Sequence, residues 1–262
     1  MHTFEAIFKK GQVLIPYITF ADPKKEATES LILDCFAAGA DIVELGIPFS
    51  DPVADGPVIQ SSHSRVLASQ PDISVSDVFA CVKSVRKKID KPIILMTTVN
   101  HLINHGVTRF FKEAAKSSVS GVVIPDLSIE DAGEYRAAAK AAKVPIVFLV
   151  SPTCSDVRLE KIVKATGGFL YLISSTGTTG ERNSFSDNLE KIIRKVKKIR
   201  NIPIAVGFGI SKPQHARKFW KIADAIIVGS HLVQIFNKNE KTPKKIQSEL
   251  KAALTVFSKA RS

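Results

Sequence analysis

Cysteine is scarce: three residues in 262, Cys35, Cys81 and Cys154, far apart and without a CxxC pair. That spacing excludes a zinc cluster and a disulfide framework and leaves plain structural thiols, with Cys35 in the apolar run 31–38 expected to pack as a small hydrophobe. Long hydrophobic runs are missing too. None approaches the ~20 residues of a spanning helix. Residues 1–10 have neither a long apolar stretch nor a small-residue cleavage site. No membrane anchor and no signal peptide are therefore expected, and a cytoplasmic location is the default. Metal-type histidine spacing is absent among the six histidines, apart from His101 and His105. Those two fall at a loop-to-helix junction and are read as solvated, so no metal site is expected.

Acidic residues are outnumbered, 25 against 37 basic, for a net charge of +12, and aromatics make up only 7%. A nucleic-acid binder would cluster that charge and interleave aromatics. Here Lys and Arg spread over several predicted helices, densest at 194–200 and 238–245, as solvated faces with a mild bias toward anionic ligands or an acidic partner.

What is present is a recurring unit. A helical stretch ends in Gly or Asp, a short β-prone run follows, then a polar or Gly-rich loop. The runs 14–20, 40–46, 92–96, 121–126, 145–150, 168–174, 203–206 and 224–229 make eight strands, each apolar almost throughout, as strands buried on both faces should be. Helical patterns separate them, at 24–38, 107–117, 130–142, 188–198 and finally 240–262, and a short amphipathic helix with Phe4, Ile7 and Phe8 on one face precedes them. With hydrophobic residues at 45%, eight uninterrupted βα units predict an α/β fold: a (β/α)8 TIM barrel, one domain over 1–262. A doubly wound sheet is the alternative.

In such a barrel the chemistry lies at the C-terminal ends of the strands. The longest loop follows strand two, with three prolines and two aspartates over 46–57. Glu44 interrupts the strand Ile42-Val43-Glu44-Leu45. A carboxylate there is costly to ionise, so its pKa should rise toward neutral, which suits a group that gives and takes protons. The alternative is a strand-end Glu bonded to a nearby loop. Asp55, eleven positions on, could reach the same cavity while better solvated, and two carboxylates in unlike environments can divide acid and base roles. Asp51 is its rival in the loop. After strand seven comes Gly207-Phe208-Gly209-Ile210-Ser211, and after strand eight Gly229-Ser230-His231, which opens a short helix. Both suit phosphate, because glycines let backbone N–H groups approach an anion and a helix N-terminus adds positive potential. Residues 174–182, small, polar and Gly-punctuated, could form a lid.

The run 43–60, Val-Glu-Leu-Gly-Ile-Pro-Phe-Ser-Asp-Pro-Val-Ala-Asp-Gly-Pro-Val-Ile-Gln, resembles the signature of the tryptophan synthase alpha subunit family. Ala21-Asp22-Pro23, Ile124-Pro125-Asp126-Leu127, Thr179-Gly180 and 207–211 fall in that family's order across nearly the whole chain. The resemblance implies a carbon–carbon lyase that cleaves indole-3-glycerol phosphate to indole and glyceraldehyde 3-phosphate. It implies a beta-subunit partner, in an alpha2beta2 complex, that receives the indole. The pyridoxal phosphate would belong to that partner, with no cofactor in this chain. It also implies that Glu44 shuttles the proton between the indole ring carbon and the glycerol hydroxyl, and that Asp55 accepts the indole N–H. Tyr171 would wall the substrate, Gly180, Phe208, Gly209, Gly229 and Ser230 would cradle the phosphate, and Thr179 would close toward Asp55.

The chain departs from the family's pattern at Ala21, Thr98, Ser128 and Ser175, where Gly, Tyr, Pro and Arg are usual. These changes fall on lid closure and partner coupling, and leave both carboxylates and the phosphate glycines in place. Two other functions remain open at this point: a weak barrel that mainly activates its partner, and another phosphate-binding barrel enzyme such as a sugar-phosphate isomerase.

Overall fold

The computed structural model describes residues 4–173, 182–207, 209–210, 212–240 and 242–261, and no side chain of 182–188. Nine strands, paired in parallel throughout, form one sheet: β1 (Val13–Thr19), β2 (Val43–Gly46), β3 (Ile93–Met96), β4 (Gly121–Val123), β5 (Ile146–Val147), β6 (Leu149–Val150), β7 (Leu170–Ile173), β8 (Ile204–Gly207) and β9 (Ala225–Val228). The sheet order is β5-β4-β3-β2-β1-β9-β8-β7-β6. Its two ends, β5 and β6, are consecutive in the chain and separated by Phe148 alone, so the chain itself closes the barrel.

The predicted strand 145–150 is therefore one strand broken in the middle. The Phe148 N–H donates to Thr166 Oγ1 at 3.0 Å instead of to a ladder, while the Phe148 carbonyl still accepts from Tyr171 N–H at 3.0 Å. The first half pairs with β4 and the second with β7. The βα alternation and the (β/α)8 barrel hold, with the fifth strand split in two.

Alternation along the strands separates two cores. Val13, Ile15 and Tyr17 on β1 join Ile94, Met96, Tyr171, Ala205, Ala225 and Ile227 in a cluster within the barrel. Leu14 and Ile18 join the larger cluster shared with the surrounding helices. α1 (Phe4–Phe8) closes the lower end. Phe4 and Phe8 each meet the Phe169 ring at 5.6 Å, and a Cβ on Gly168, at φ +72, would lie 2.6 Å from the Phe4 ring. Cys35 is buried in α2 (Lys25–Ala37), and all three cysteines are free.

Three connections shape the upper end. The loop after β2 leads into α3 (Pro57–Ser69) and then α4 (Val75–Arg86). β3 leads into α5 (Val99–His105) and α6 (Val107–Lys116), and the Asp126 carboxylate accepts the Val99 N–H at 3.0 and 3.1 Å. That contact ends β4 earlier than the predicted 126. A Ser128–Asp131 side-chain turn then delays α7 (Gly133–Ala142) beyond the predicted start at 130. α8 (Asp156–Ala165), α9 (Arg182–Ile199), α10 (Pro213–Trp220), α11 (Ser230–Asn239) and α12 (Pro243–Lys259) complete the ring. Ala21 adopts φ +63, a region that favours glycine, and its methyl is wholly buried in the outer core. Burial of the methyl offsets much of the ~1 kcal/mol cost of that backbone, which explains how the departure from Gly is tolerated.

Candidate active site

Glu44 and Tyr17 sit opposite each other in the β1–β2 register. Glu44 is fully buried, and neither carboxylate oxygen has a hydrogen-bond partner among the described residues. Burial, reinforced by the nearby Asp55 charge, pushes its carboxyl up to about 8. At neutral pH it is chiefly a protonated acid whose O–H is uncommitted.

Asp55 lies at the end of the loop that Glu44's strand feeds. The loop folds back on itself: Asp55 N–H donates to Pro52 O at 3.0 Å, and Gln60 in α3 holds the Asp55 carbonyl at 2.9 Å. Burial raises the Asp55 carboxyl to about 6, so it is ionised near neutrality. The environments separate the two groups in the direction expected from the sequence.

Glu44 and Asp55 line one cavity with Tyr17, Met96, Tyr171, Gly209, Ile210, Gly229 and Ser230. Gly209, at φ +77, has open space where a side chain would stand, and Gly229 is the N-cap of α11, with Ser230 its first residue. Tyr171 lies across Gly207, whose Cβ would be 2.6 Å from its ring. Two carboxylates of unlike protonation thus face an anion-suited end at the mouth of a barrel.

The match to known proteins agrees with this geometry. The family model for the tryptophan synthase alpha chain matches residues 4–261. The chain is 44% identical over 238 residues to the tryptophan synthase alpha chain of Geotalea daltonii, covering 90% of this chain and 89% of that one. It is 37% identical over 251 residues to that of Petrotoga mobilis, covering 96% of each. A crystal structure of tryptophan synthase subunit alpha from Legionella pneumophila superposes with a TM-score of 0.89 at 32% identity, over 99% of this chain and 98% of that one. An aminoacrylate-bound tryptophan synthase from M. tuberculosis does so with 0.86 at 26% identity, over 98% of each.

This chain belongs to the tryptophan synthase alpha chain family. With that membership comes its lyase activity in tryptophan biosynthesis, the cleavage of indole-3-glycerol phosphate to indole and glyceraldehyde 3-phosphate. Of the residues that the family resemblance singled out, Glu44, Asp55, Tyr171, Gly209, Gly229 and Ser230 meet in the one cavity. Thr179, Gly180, Phe208 and the lid stretch 174–181, including Ser175, lie outside the described residues. Among the described residues, no cluster of three or more His, Cys, Asp or Glu side chains could hold a metal ion, and no helix is long and apolar enough to cross a membrane.

Two groups to which the sequence assigns no role stand behind the site. His63, on α3, is buried; its Nδ1 accepts the Phe49 N–H at 3.0 Å, and its Nε2 lies 3.1 Å from Tyr17 Oη and 3.9 Å from Asp55 Oδ2. Asp22, also buried, takes the Ser62 hydroxyl and the Arg65 guanidinium, and Arg65 reaches Asn237 on α11 at 2.8 Å. That chain of bonds ties the helix behind the Asp55 loop to the helix whose N-terminus faces the cavity. A signal did exist in the sequence: Ile59, Ser62, His63 and Val66 form the buried stripe of α3, and polar residues in such a stripe need partners.

His101 and His105 differ from their solvated reading. Both lie on α5 itself. His101 packs edge-on against Phe49 at 5.1 Å and bonds to Thr97 Oγ1 at 3.1 Å, and burial lowers its pKa to about 4. His105 bonds Glu113 at 2.9 Å beside Phe79 and Phe110. Phe49, in the loop after β2, is thus held by two imidazoles that burial keeps neutral, His63 at its backbone N–H and His101 at its ring.

Proposed function

We propose that Glu44 is the proton shuttle of the lyase reaction and Asp55 the acceptor of the indole N–H. Protonated Glu44 gives its proton to the indole ring carbon that bears the glycerol chain. Positive charge then develops on the ring nitrogen, where ionised Asp55 stabilises it. The Glu44 carboxylate next takes the proton from the adjacent glycerol hydroxyl. The carbon–carbon bond breaks with its electrons returning to the ring, releasing indole and the aldehyde. One group serves both steps, which suits a pKa near neutrality. The observation that carries this reading is Glu44 itself: a fully buried carboxyl with no partner for either oxygen, raised to about 8, beside a second carboxylate.

Gly209, Gly229 and Ser230 hold the substrate phosphate through backbone N–H groups and the α11 terminus, Tyr171 walls the indole, and Thr179, Gly180 and Phe208 complete the cradle and lid by their match to the family pattern. The partner is a tryptophan synthase beta subunit in an alpha2beta2 complex, to which indole passes and in which pyridoxal phosphate resides. The M. tuberculosis structure, a tryptophan synthase in aminoacrylate-bound form, supports that arrangement. The chain works in the cytoplasm as one barrel domain. Inorganic phosphate and glycerol phosphate should compete with indole-3-glycerol phosphate, and a crystal soaked in either should show the anion between Gly209 and Gly229. Density elsewhere in the mouth, with none there, would refute the cradle.

A further inference from the structure

His63 has only one proton to give, and the structure says where it is. Nδ1 accepts the Phe49 N–H, so it carries none. Burial holds the ring neutral, with its pKa lowered to about 4. The single ring proton therefore sits on Nε2, which faces both Tyr17 Oη, at 3.1 Å, and Asp55 Oδ2, at 3.9 Å. A phenol oxygen accepts two hydrogen bonds and donates one. Here Thr19 Oγ1 donates to Tyr17 Oη at 3.4 Å and His63 takes the other acceptor position. The phenolic proton is left for a third partner. The Asp55 carboxylate lines the same cavity as that phenol and lies 3.9 Å from the His63 nitrogen that the phenol meets at 3.1 Å. The phenol oxygen fills the space beside Gly46 where a side chain would stand, 2.1 Å from the place of its Cβ.

We propose that His63 is a positioning residue for the cleavage: its Nε2–H fills the Tyr17 oxygen, so that the phenolic proton is presented to the Asp55 carboxylate and holds it as the N–H acceptor. This rests on Asp55 being that acceptor. The titratable groups facing His63 are Tyr17 from β1, Asp55 from the loop and His101 from α5.

The test compares Tyr17→Phe, His63→Asn, His63→Gln, the pair Tyr17→Phe with His63→Asn, and Asp55→Asn in the full chain cleaving indole-3-glycerol phosphate. Tyr17→Phe keeps the ring and loses one hydrogen bond to a charged group, so kcat should fall ~10-fold or more with KM within ~3-fold. Asn reproduces the Nδ1 acceptor only and should match that loss. Gln, whose amide nitrogen extends to the Nε2 position, should retain most of the activity. The pair should be no worse than Tyr17→Phe by more than ~3-fold, because both changes break one chain. The acid limb of kcat/KM should move to higher pH in Tyr17→Phe and in His63→Asn, as the Asp55 anion loses its donor. Unchanged kcat in Tyr17→Phe, multiplied losses in the pair, or activity kept by Asn and lost by Gln would each overturn the proposal. Should His63→Asn lower the melting temperature, Tyr17→Phe decides alone. An active Asp55→Asn would instead break the underlying site assignment, whereas an inactive one beside a fully active Tyr17→Phe would overturn only the relay.

Discussion

At the scale of single residues, Glu44 carries the largest consequences. A carboxyl raised from 4.5 to about 8 on folding binds its proton more tightly in the folded chain than in the unfolded one. Its contribution to stability is therefore flat below pH ~4.5 and falls as pH rises toward 8. Glu44→Gln removes that penalty. The variant should lose ~10²-fold or more in kcat, yet melt higher than wild type at pH 8 by at least ~1 kcal/mol of stability, with little difference at pH 4.5. Thermal melts at the two pH values check this. A variant that retains a tenth of the turnover, or is less stable at pH 8, speaks against a desolvated acid at the centre of the site. The two carboxyls also set a pH profile. The proposed roles require Asp55, near 6, ionised and Glu44, near 8, protonated, so kcat/KM should be bell-shaped with limbs near those values. Asp55→Asn should abolish the acid limb along with most of the activity.

Among the elements, Gly207 at the end of β8 and Gly209 just beyond it do different work. A Cβ on Gly209 meets nothing within 4 Å, so Gly209→Ala bears only the cost of φ +77, about 1 kcal/mol. It should raise KM and weaken inhibition by inorganic phosphate while kcat stays within ~3-fold. Gly207→Ala drives a methyl into Tyr171 and should lower both the melting temperature and kcat/KM by more than ~10-fold in the latter. Steady-state kinetics and melting curves separate the two, and equal behaviour would mean that neither acts as described. These elements were legible in the sequence to unequal degrees. Strands buried on both faces leave apolar runs that composition alone reveals, and the Gly-rich loops and Glu44 stand out against them. The break at Phe148 depends on the Thr166 hydroxyl, far along the chain, and no local pattern encodes it. The same holds for His63 and Tyr17, whose bond crosses from α3 to β1. Periodicity marks His63 as buried, but only the barrel's curvature says what it meets. The surroundings of His101 and His105 are non-local in the same way: the aromatic rings that cover them come from the loop after β2 and from α4 and α6.

For the whole molecule the question is coupling. The departures Thr98 and Ser175 fall where lid and partner would act. Thr98 is the N-cap of α5, and its hydroxyl lies 3.4 Å from His101, whose ring packs on Phe49 of the Asp55 loop. A partner pressing on that loop would shift the balance between productive and unproductive carboxylate geometry, and ~1–3 kcal/mol of such coupling is typical, about 5–150-fold. The most direct measurement is the release of glyceraldehyde 3-phosphate from indole-3-glycerol phosphate by this chain, alone and with its cognate beta subunit, beside a Glu44→Gln control. Lyase chemistry at Glu44 and Asp55 predicts slow release alone, at least a several-fold rise with the partner, and almost none from the control. A pair that makes tryptophan from indole and serine yet releases no glyceraldehyde 3-phosphate would contradict it.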